Sequence, residues 1–385
     1  MKVIVIGSLA ESLVNFRGDL LRHLVAQGHE VLALAPAGPA WVQERLDGWG
    51  VRYLALPISR AGTNVAADLR LLGHLRRLFK AERPDVTLGY TIKPVVYGSI
   101  AAWLAGVPRV AAMITGLGFT FMPANGWKAH TVQAVARGLY RAGLACADMI
   151  FFQNGDDEAE FRQRGMLPPR ARIVRINGSG VHLGRYALAP LPDGPLRFLL
   201  VGRLIGDKGV REYIAAAVRL LEARPKAQCH LVGPLDDNPA SLTAAELAQA
   251  VDAGAIYHHG ATQDVRPFLR DCHVFVLPSY REGTPRSVLE AMAVGRPILT
   301  TDAPGCRDTV LPGENGLLVP VRDAAALAQA MITLCDMPRN ALHRMGLASR
   351  ARAEAVYDVV QVNRVIAEVL LNPTDPGPGN TPASP

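Results

Sequence analysis

The chain is short of cysteine, of aromatic side chains and of any unbroken apolar run long enough to cross a bilayer. Its five cysteines (Cys146, Cys229, Cys272, Cys306 and Cys335) are scattered through 385 residues and form no CxxC pair. An odd, dispersed set makes neither a disulfide framework nor a thiolate metal cluster, so reduced thiols in a cytosolic protein and no metal are expected. Aromatics make up only 6%. None is interleaved with the basic residues and no recognition motif accompanies them, so no nucleic-acid partner is expected. The most apolar stretch, residues 94–119, is interrupted by Gly106, Pro108 and Arg109. It reads as a helix and then a buried strand, not as a membrane span. The opening MKVIVIGS has too short an apolar run for a signal peptide and no small-residue cleavage site. A dinucleotide fingerprint is also missing. Ile6-Gly7-Ser8-Leu9 lacks G-x-G-x-x-G, and no acidic residue ends the second strand at Ala35-Pro36, which argues against a nicotinamide-dependent oxidoreductase.

What the chain does have is 49% hydrophobic residues and 36 glycines, enough for two domains with separate cores. A formal net charge of +7 and a pI near 9.3 suit phosphate-bearing ligands or anionic lipid. Short β-rich runs alternate with helical spacing. Strands are predicted at 2–6, 31–35, 51–56, 86–89, 109–114 and 149–152, with helices at 15–27, 65–80, 95–105 and 126–146 between them. After a stretch rich in Pro and Gly at 184–195, which reads as a linker, the rhythm restarts. Strands are then predicted at 196–201, 228–232, 255–258, 274–277, 297–300 and 316–319, and a last helix at 357–371. This is the pattern of α/β doubly wound parallel sheets. The expected domains are residues 1–188 and 196–353, each Rossmann-like, with a helix at 354–371 packing back on the first and a disordered tail at 372–385.

Two segments carry the chemistry. In Val201-Gly202-Arg203-Leu204-Ile205-Gly206-Asp207-Lys208-Gly209 a strand runs into a glycine-rich loop and then a helix. Arg203 and Lys208 flank that loop and could clamp a diphosphate, or could be solvated charges on an ordinary turn. In Tyr280-Arg281-Glu282-Gly283-Thr284-Pro285-Arg286-Ser287-Val288-Leu289-Glu290, Thr284 is suited to cap a helix and Pro285 to open it. The helix N-terminus then favours phosphate. Glu290, inside the helix, is positioned for a ribose diol, and Glu282, in the loop, for hydroxyls of a sugar. Two ordinary acidic residues at a helix start would look the same.

With EGTPRSVLEAMAVGRPIL the segment resembles the E-x7-E signature of retaining GT-B glycosyltransferases of family 4. GRLIGDKGV, HLVGP, HHGATQDVRPFLRDCHVFVLPS and NGLLVP match in the same order. The resemblance covers nearly the whole chain and is strongest from Phe198 to Pro320. It implies two Rossmann-like domains facing across a cleft, a UDP-sugar co-substrate and no cofactor or metal. The absence of D-x-D, a metal–diphosphate motif of the other large transferase fold, agrees. It also implies roles: Arg203 and Lys208 on the diphosphate, Glu290 on the ribose, Glu282 on the sugar, the backbone of Gly283, Thr284, Pro285 and Arg286 lining the pocket, and Thr262 to Val265 near the base. Transfer with retention follows, the departing phosphate oxygen taking the acceptor's proton.

SLVNFRGDL, YTIKPVVYG and ITGLGFTF resemble a narrower group, bacterial polyprenyl-diphosphate-sugar N-acetylgalactosaminyltransferases and O-antigen and capsule transferases. This implies a lipid-linked saccharide acceptor. Arg17 and Lys93, at strand–helix junctions, are candidates for its phosphates. Many relatives carry a histidine where this chain has Thr115-Gly116-Leu117-Gly118, so Thr115 and Gly116 are candidates to replace it. His182, His258 and His259 read as structural. Basic residues stud two predicted helices, Arg70, Arg76, Arg77 and Lys80 on one and Lys128, His130, Arg137 and Arg141 on the other. They are either solvated faces or attachments to the anionic cytoplasmic face of the inner membrane. A UDP-sugar epimerase and a transferase acting on a soluble acceptor are the alternatives.

Overall fold

The computed structural model describes residues 1–58, 64–117, 127–236 and 240–372. The chain divides into two compact units, Met1–Ser179 with the chain from Val360 on, and Gly180–Val359. The first holds a seven-stranded sheet of β1 (Lys2–Ile6), β2 (Glu30–Ala35), β3 (Arg52–Ala55), β4 (Val86–Tyr90), β5 (Arg109–Ile114), β6 (Met149–Phe152) and β7 (Arg172–Arg175). The spatial order is β3-β2-β1-β4-β5-β6-β7, and every pairing is parallel. The second holds β8 (Arg197–Val201), β9 (Gln228–Val232), β10 (Tyr257–His258), β11 (Val274–Leu277), β12 (Ile298–Thr301) and β13 (Gly316–Val319), ordered β10-β9-β8-β11-β12-β13 and again parallel.

Strands buried on both faces need continuous apolar runs, and alternation then divides each run between two cores. Val3 and Val5 pack with Leu13, Leu20 and Leu24 on one side of the first sheet, while Ile4 and Ile6 pack with Leu71, Leu75 and Phe79 on the other. In the second unit Leu200 and Val276 face Val210 and Leu220, whereas Leu199 and Leu277 face Val288 and Met292. The helix Val359–Leu371 lays Val362, Ile366 and Leu370 into the first unit's core. Arg109 Nη1 donates to the carbonyls of Leu370 and Leu371 at 3.1 and 2.6 Å and so caps the helix end.

Each sheet reverses its winding once, between β1 and β4 and between β8 and β11. The loops leaving those strand ends diverge and leave a crevice for ligands.

Several expectations need correction. The helix expected over 15–27 runs over Gly18–Ala26, and a separate short helix, Ala10–Asn15, precedes it, the two parted where Arg17 takes φ −120° and ψ −4°. The helix expected from 95 begins as a π-turn, Pro94–Gly98, before Ser99–Ala105. Proline lacks the N–H of a regular helix and disturbs the ladder there. Strand β7 and the helices Ala40–Asp47 and Gly155–Gln163 were not foreseen. The half-exposed β7 and these polar helices have weak apolar periodicity. Residues 184–195, expected as a linker, lie in the second unit. They are held there by the Tyr186 hydroxyl on Glu290 and by Arg296 Nη2 donating to the Pro190 carbonyl at 2.9 Å. The tail expected at 372–385 lies, after Asn372, outside the described residues, as does Gly118.

Candidate active site

The crevice of the second unit is built by two loops locked onto each other. The loop after β8 ends in a 3-10 turn, Gly206–Lys208, and enters the helix Val210–Ala223 through Gly209. Gly209 has φ +69°, and a Cβ there would collide with the Pro278 carbonyl of the loop after β11. The Tyr280 amide donates to the Asp207 carbonyl at 2.9 Å across the same seam. Only glycine meets both demands, so the sequence of the first loop fixes how near the second can come.

That seam brings together Lys208 and Glu282, separated by 74 residues in sequence. Lys208 Nζ forms an ion pair with Glu282 Oε1, and the buried Ser279 hydroxyl donates to the same oxygen at 2.7 Å. Both charged side chains keep some exposure, 23% for Lys208 and 15% for Glu282. An ammonium has three donors, so the bond to Glu282 leaves the lysine able to engage an arriving anion.

The next helix is Arg286–Val294. Its N-cap is Pro285, and not Thr284 as expected; the helix therefore starts one residue later, with Arg286 at its first position. Proline at φ −72° and ψ 107° leaves the helical path just before the first turn, and its ring cannot supply a capping oxygen. The positive end of the helix dipole thus lies where the loop after β11 enters the helix. One turn further in, Glu290 is 8% exposed. Its Oε1 accepts from the Tyr186 hydroxyl at 2.8 Å and from Arg286 Nε at 2.9 Å. Both bonds end on the same oxygen, which orients the carboxylate. Desolvation, reinforced by the Glu290 charge, pushes the Tyr186 phenol well above its usual range. It therefore stays a donor.

Arg203, 43% exposed, donates through Nη1 to Asp236 at 2.7 Å. Arg203, Lys208 and Arg286 thus each have a carboxylate beside them. The two residues expected to clamp a diphosphate, Arg203 and Lys208, are therefore each partly balanced by a carboxylate. Thr262 and Val265 shape the loop after β10. The Thr262 hydroxyl receives the Asp264 amide at 3.1 Å, and Val265 caps the helix Arg266–Asp271. Tyr280 donates to Glu212 at 2.5 Å and lies under Arg322, whose guanidinium is 4.7 Å from the ring centre. Arg322 takes φ +59°, a costly conformation for a branched-free but bulky residue. Burial, then the Glu282 charge, push the Cys306 thiol up to about 12, so it is no nucleophile at neutral pH.

Sequence reasoning missed Tyr186, Ser279, Asp236 and the Tyr280–Glu212 pair. Tyr186 was hidden in a proline-rich stretch. The tyrosine and serine neighbours of Glu282 were in view but had no distinguishing spacing.

In the first unit the acceptor candidates are differently placed. Arg17 is buried, its guanidinium 5.1 Å from the Tyr90 ring centre. Lys93 is not an open cation. Its Nζ donates to Asp68 Oδ1 at 2.7 Å, both side chains are 12% exposed, and Tyr97 donates to the other carboxylate oxygen at 3.0 Å. Thr115 and Gly116 follow β5 at its carboxyl end, half-buried. His182, His258 and His259 have structural partners: His182 Nδ1 accepts the Arg185 amide, His258 meets the Gly233 carbonyl at 3.0 Å, and His259 meets His230 at 2.9 Å. Among the described residues no group of three or more His, Cys, Asp or Glu side chains is placed to hold a metal ion. No described helix is long and apolar enough to cross a membrane.

Comparison with known proteins gives two family matches, "Glycosyl transferases group 1" over residues 195–337 and "Glycosyl transferase 4-like domain" over residues 15–178. The chain is 28% identical over 372 residues to the N,N'-diacetylbacillosaminyl-diphospho-undecaprenol alpha-1,3-N-acetylgalactosaminyltransferase of Campylobacter jejuni, covering 93% of this chain and 95% of that one. It is 25% identical to the Escherichia coli UDP-Gal:alpha-D-GlcNAc-diphosphoundecaprenol alpha-1,3-galactosyltransferase, covering 74% and 75%. Among solved structures, HepE of Anabaena in complex with UDP and glucose superposes with a TM-score of 0.75 at 18% identity, covering 96% of this chain and 99% of that one.

Proposed function

Since the chain belongs to the group 1 glycosyl transferases and has a GT-B fold, we propose that this hexosyltransferase moves an N-acetylhexosamine, GalNAc in the first instance, from a UDP-sugar to a polyprenyl-diphosphate-linked saccharide. The observation that carries the donor half is the meeting of Lys208 and Glu282 at the β8/β11 crevice, in the loop that leads into the helix bearing Glu290. The lipid-linked acceptor rests on the full-length likeness to the Campylobacter jejuni enzyme.

In this reading the diphosphate is held by Lys208, Arg203 and the amides at the start of the helix Arg286–Val294. As the bond from the sugar carbon to the phosphate oxygen breaks, negative charge grows on that oxygen, and these donors stabilise it. Glu290, oriented by Tyr186 and Arg286, receives the ribose hydroxyls. Glu282 keeps Lys208 in place and accepts hydroxyls of the sugar. The acceptor hydroxyl attacks from the face the phosphate leaves, so configuration is retained, and the departing oxygen takes its proton. No side-chain base and no metal is required in this scheme. Thr115, Gly116 and Arg17 are assigned to the acceptor. The Lys93–Asp68 pair supports that side as a positioning contact more than as a phosphate ligand. In this reading the enzyme acts on its lipid-linked substrate at the cytoplasmic face of the inner membrane, as a peripheral protein.

The test is a mass-spectrometric screen of UDP-sugars against polyprenyl-diphosphate sugars. The expected result is a lipid-linked product heavier by one N-acetylhexosamine, with UDP released. Transfer to soluble sugars alone overturns the lipid-linked acceptor, and a converted donor of unchanged mass without UDP points to an epimerase.

A further inference from the structure

Of the carboxylates that pair with Arg203, Lys208 and Arg286, two have work in the proposed reading, Glu282 on the sugar and Glu290 on the ribose. Asp236, the partner of Arg203, has none. It comes from the loop after β9, and the fold holds that loop hard against the loop after β8, which carries Arg203. Gly233 takes φ +151°, and a Cβ there would overlap the Gly202 carbonyl, so only glycine allows the two loops to come this close. The Gly202 amide donates to the Val232 carbonyl and the Leu204 amide to the Pro234 carbonyl, both at 3.0 Å. Beyond this seam Arg203 Nη1 donates to Asp236 Oδ2 at 2.7 Å. The two side chains are 43% and 22% exposed, so the pair meets solvent and can meet a ligand. A guanidinium has several donors in a fixed fork. The bond to Asp236 is made by one of them, and the rest of the fork can reach a second anion.

We propose that Asp236 sets how tightly the crevice holds a diphosphate, and that its charge speeds the release of the nucleotide product. The inference rests on the transfer reading, in which Arg203 meets the diphosphate. In that reading donor and product differ in a way that a fixed charge can sense. The diphosphate of a UDP-sugar is esterified at both ends. When the bond from the sugar carbon to the phosphate oxygen breaks, that oxygen takes the acceptor's proton. Such a proton has a pKa of about 6 and is mostly lost to solvent at neutral pH. UDP therefore leaves with more negative charge than the donor brought. A carboxylate beside Arg203 repels the more highly charged product more strongly than the donor at the same distance. The difference has the sign that turnover needs, because product release limits many enzymes. A tether for Arg203 would not require a charge, since a neutral amide oxygen could accept the same hydrogen bond.

The full-length protein, as wild type, D236N, D236S and D336N, is titrated calorimetrically with UDP and with UDP-N-acetylgalactosamine at low and high salt. Asparagine keeps an oxygen for Arg203 and removes only the charge. D336N removes a carboxylate that pairs with Arg224 at the end of the helix Ala324–Asp336, and so controls for net charge. UDP should bind D236N about three- to tenfold more tightly than wild type, the effect of one charge at a partly exposed edge. The nucleotide sugar should gain by a smaller factor, and both gains should shrink at high salt. D336N should bind both ligands as wild type does. The rate at which UDP leaves D236N, followed by displacement of a fluorescent UDP analogue, should fall by about the same factor as its dissociation constant. Weaker UDP binding in D236N and D236S would make Asp236 a residue that positions Arg203, and would overturn the proposal. So would equal tightening of UDP and the nucleotide sugar, or an equal gain in D336N. If D236N fails to fold, as judged by its thermal melt, D236S is read in its place with the same tightening expected. UDP that binds none of the four proteins sinks the proposed donor site and this inference with it. UDP that binds wild type and D236N alike sinks this inference alone.

Discussion

At the crevice of the second unit, where β8 and β11 part, a lysine and a glutamate from distant loops form a partly accessible ion pair, and a helix begins a few residues after the glutamate. At the corresponding crevice of the first unit, where β1 and β4 part, the chemistry is hydroxylic and closed. Ser8 and Thr91 meet through their hydroxyls at 2.5 Å, Ser12 meets Tyr90 at 2.7 Å, and a Cβ at Gly7 would strike the Tyr90 hydroxyl. Thr91 sits at φ +68°, a strained value for a β-branched residue. The cations nearby, Arg17 and Lys93, are buried or ion-paired. Under the proposed function, one topology used twice serves two tasks. The second edge can take up a strongly charged diphosphate. The first suits a ligand recognised through hydroxyls, as a saccharide is.

Replacing Lys208 by alanine attacks the open edge directly. It should cost on the order of 10²–10³ in turnover at saturating donor, the usual toll of removing one donor to a developing anion. Near-normal turnover would break the assignment of charge to this edge. On the closed edge, Asp68→Asn should act on stability instead. It leaves Lys93 largely buried without its counter-ion, a loss of about 3 kcal/mol or somewhat less for the residual exposure. A thermal melt should show it while donor KM stays constant. A changed donor KM would mean that the two edges are not separate in function. Glu290→Gln should raise donor KM roughly tenfold or more, the worth of hydrogen bonds to a charged acceptor, with a smaller change in kcat.

The smallest effect concerns pH. Desolvation lowers His230 and His273, both of the second unit, to about 4. An unfolded chain takes up protons on these residues near pH 6.5 while the folded one does not. The second unit should therefore lose stability as pH falls from about 6.5 toward 4 and be unaffected by them above 7. A melt that is flat across that window would contradict the burial of these rings.

Much of this contrast was legible in sequence on one side only. The open edge is written in contiguous segments, because a glycine-rich strand–helix loop and a helix start are local structures whose glycines and charges sit at fixed offsets. Arg203, Lys208, Glu282 and Glu290 could be named before any coordinates. What could not be read was how they combine. The ion pair joins residues 74 apart, and Tyr186 reaches Glu290 from 104 residues away. The closed edge is assembled almost wholly from long-range pairs, such as Ser8 with Thr91 and Lys93 with Asp68. Lys93 thus looked like an open cation at a strand end. The parallel, doubly wound sheets followed from the alternating rhythm, whereas the break before Gly18 was marked by no local pattern.

The central claim is that the donor nucleotide binds at the second unit's crevice and not at the first. It is tested most directly by titrating UDP calorimetrically into wild type, Lys208→Ala, Glu290→Gln and Ser8→Ala. The account predicts that the two second-unit variants weaken UDP binding about tenfold or more while Ser8→Ala leaves it unchanged. Loss of UDP binding in Ser8→Ala, with Lys208→Ala and Glu290→Gln binding as wild type, would contradict it.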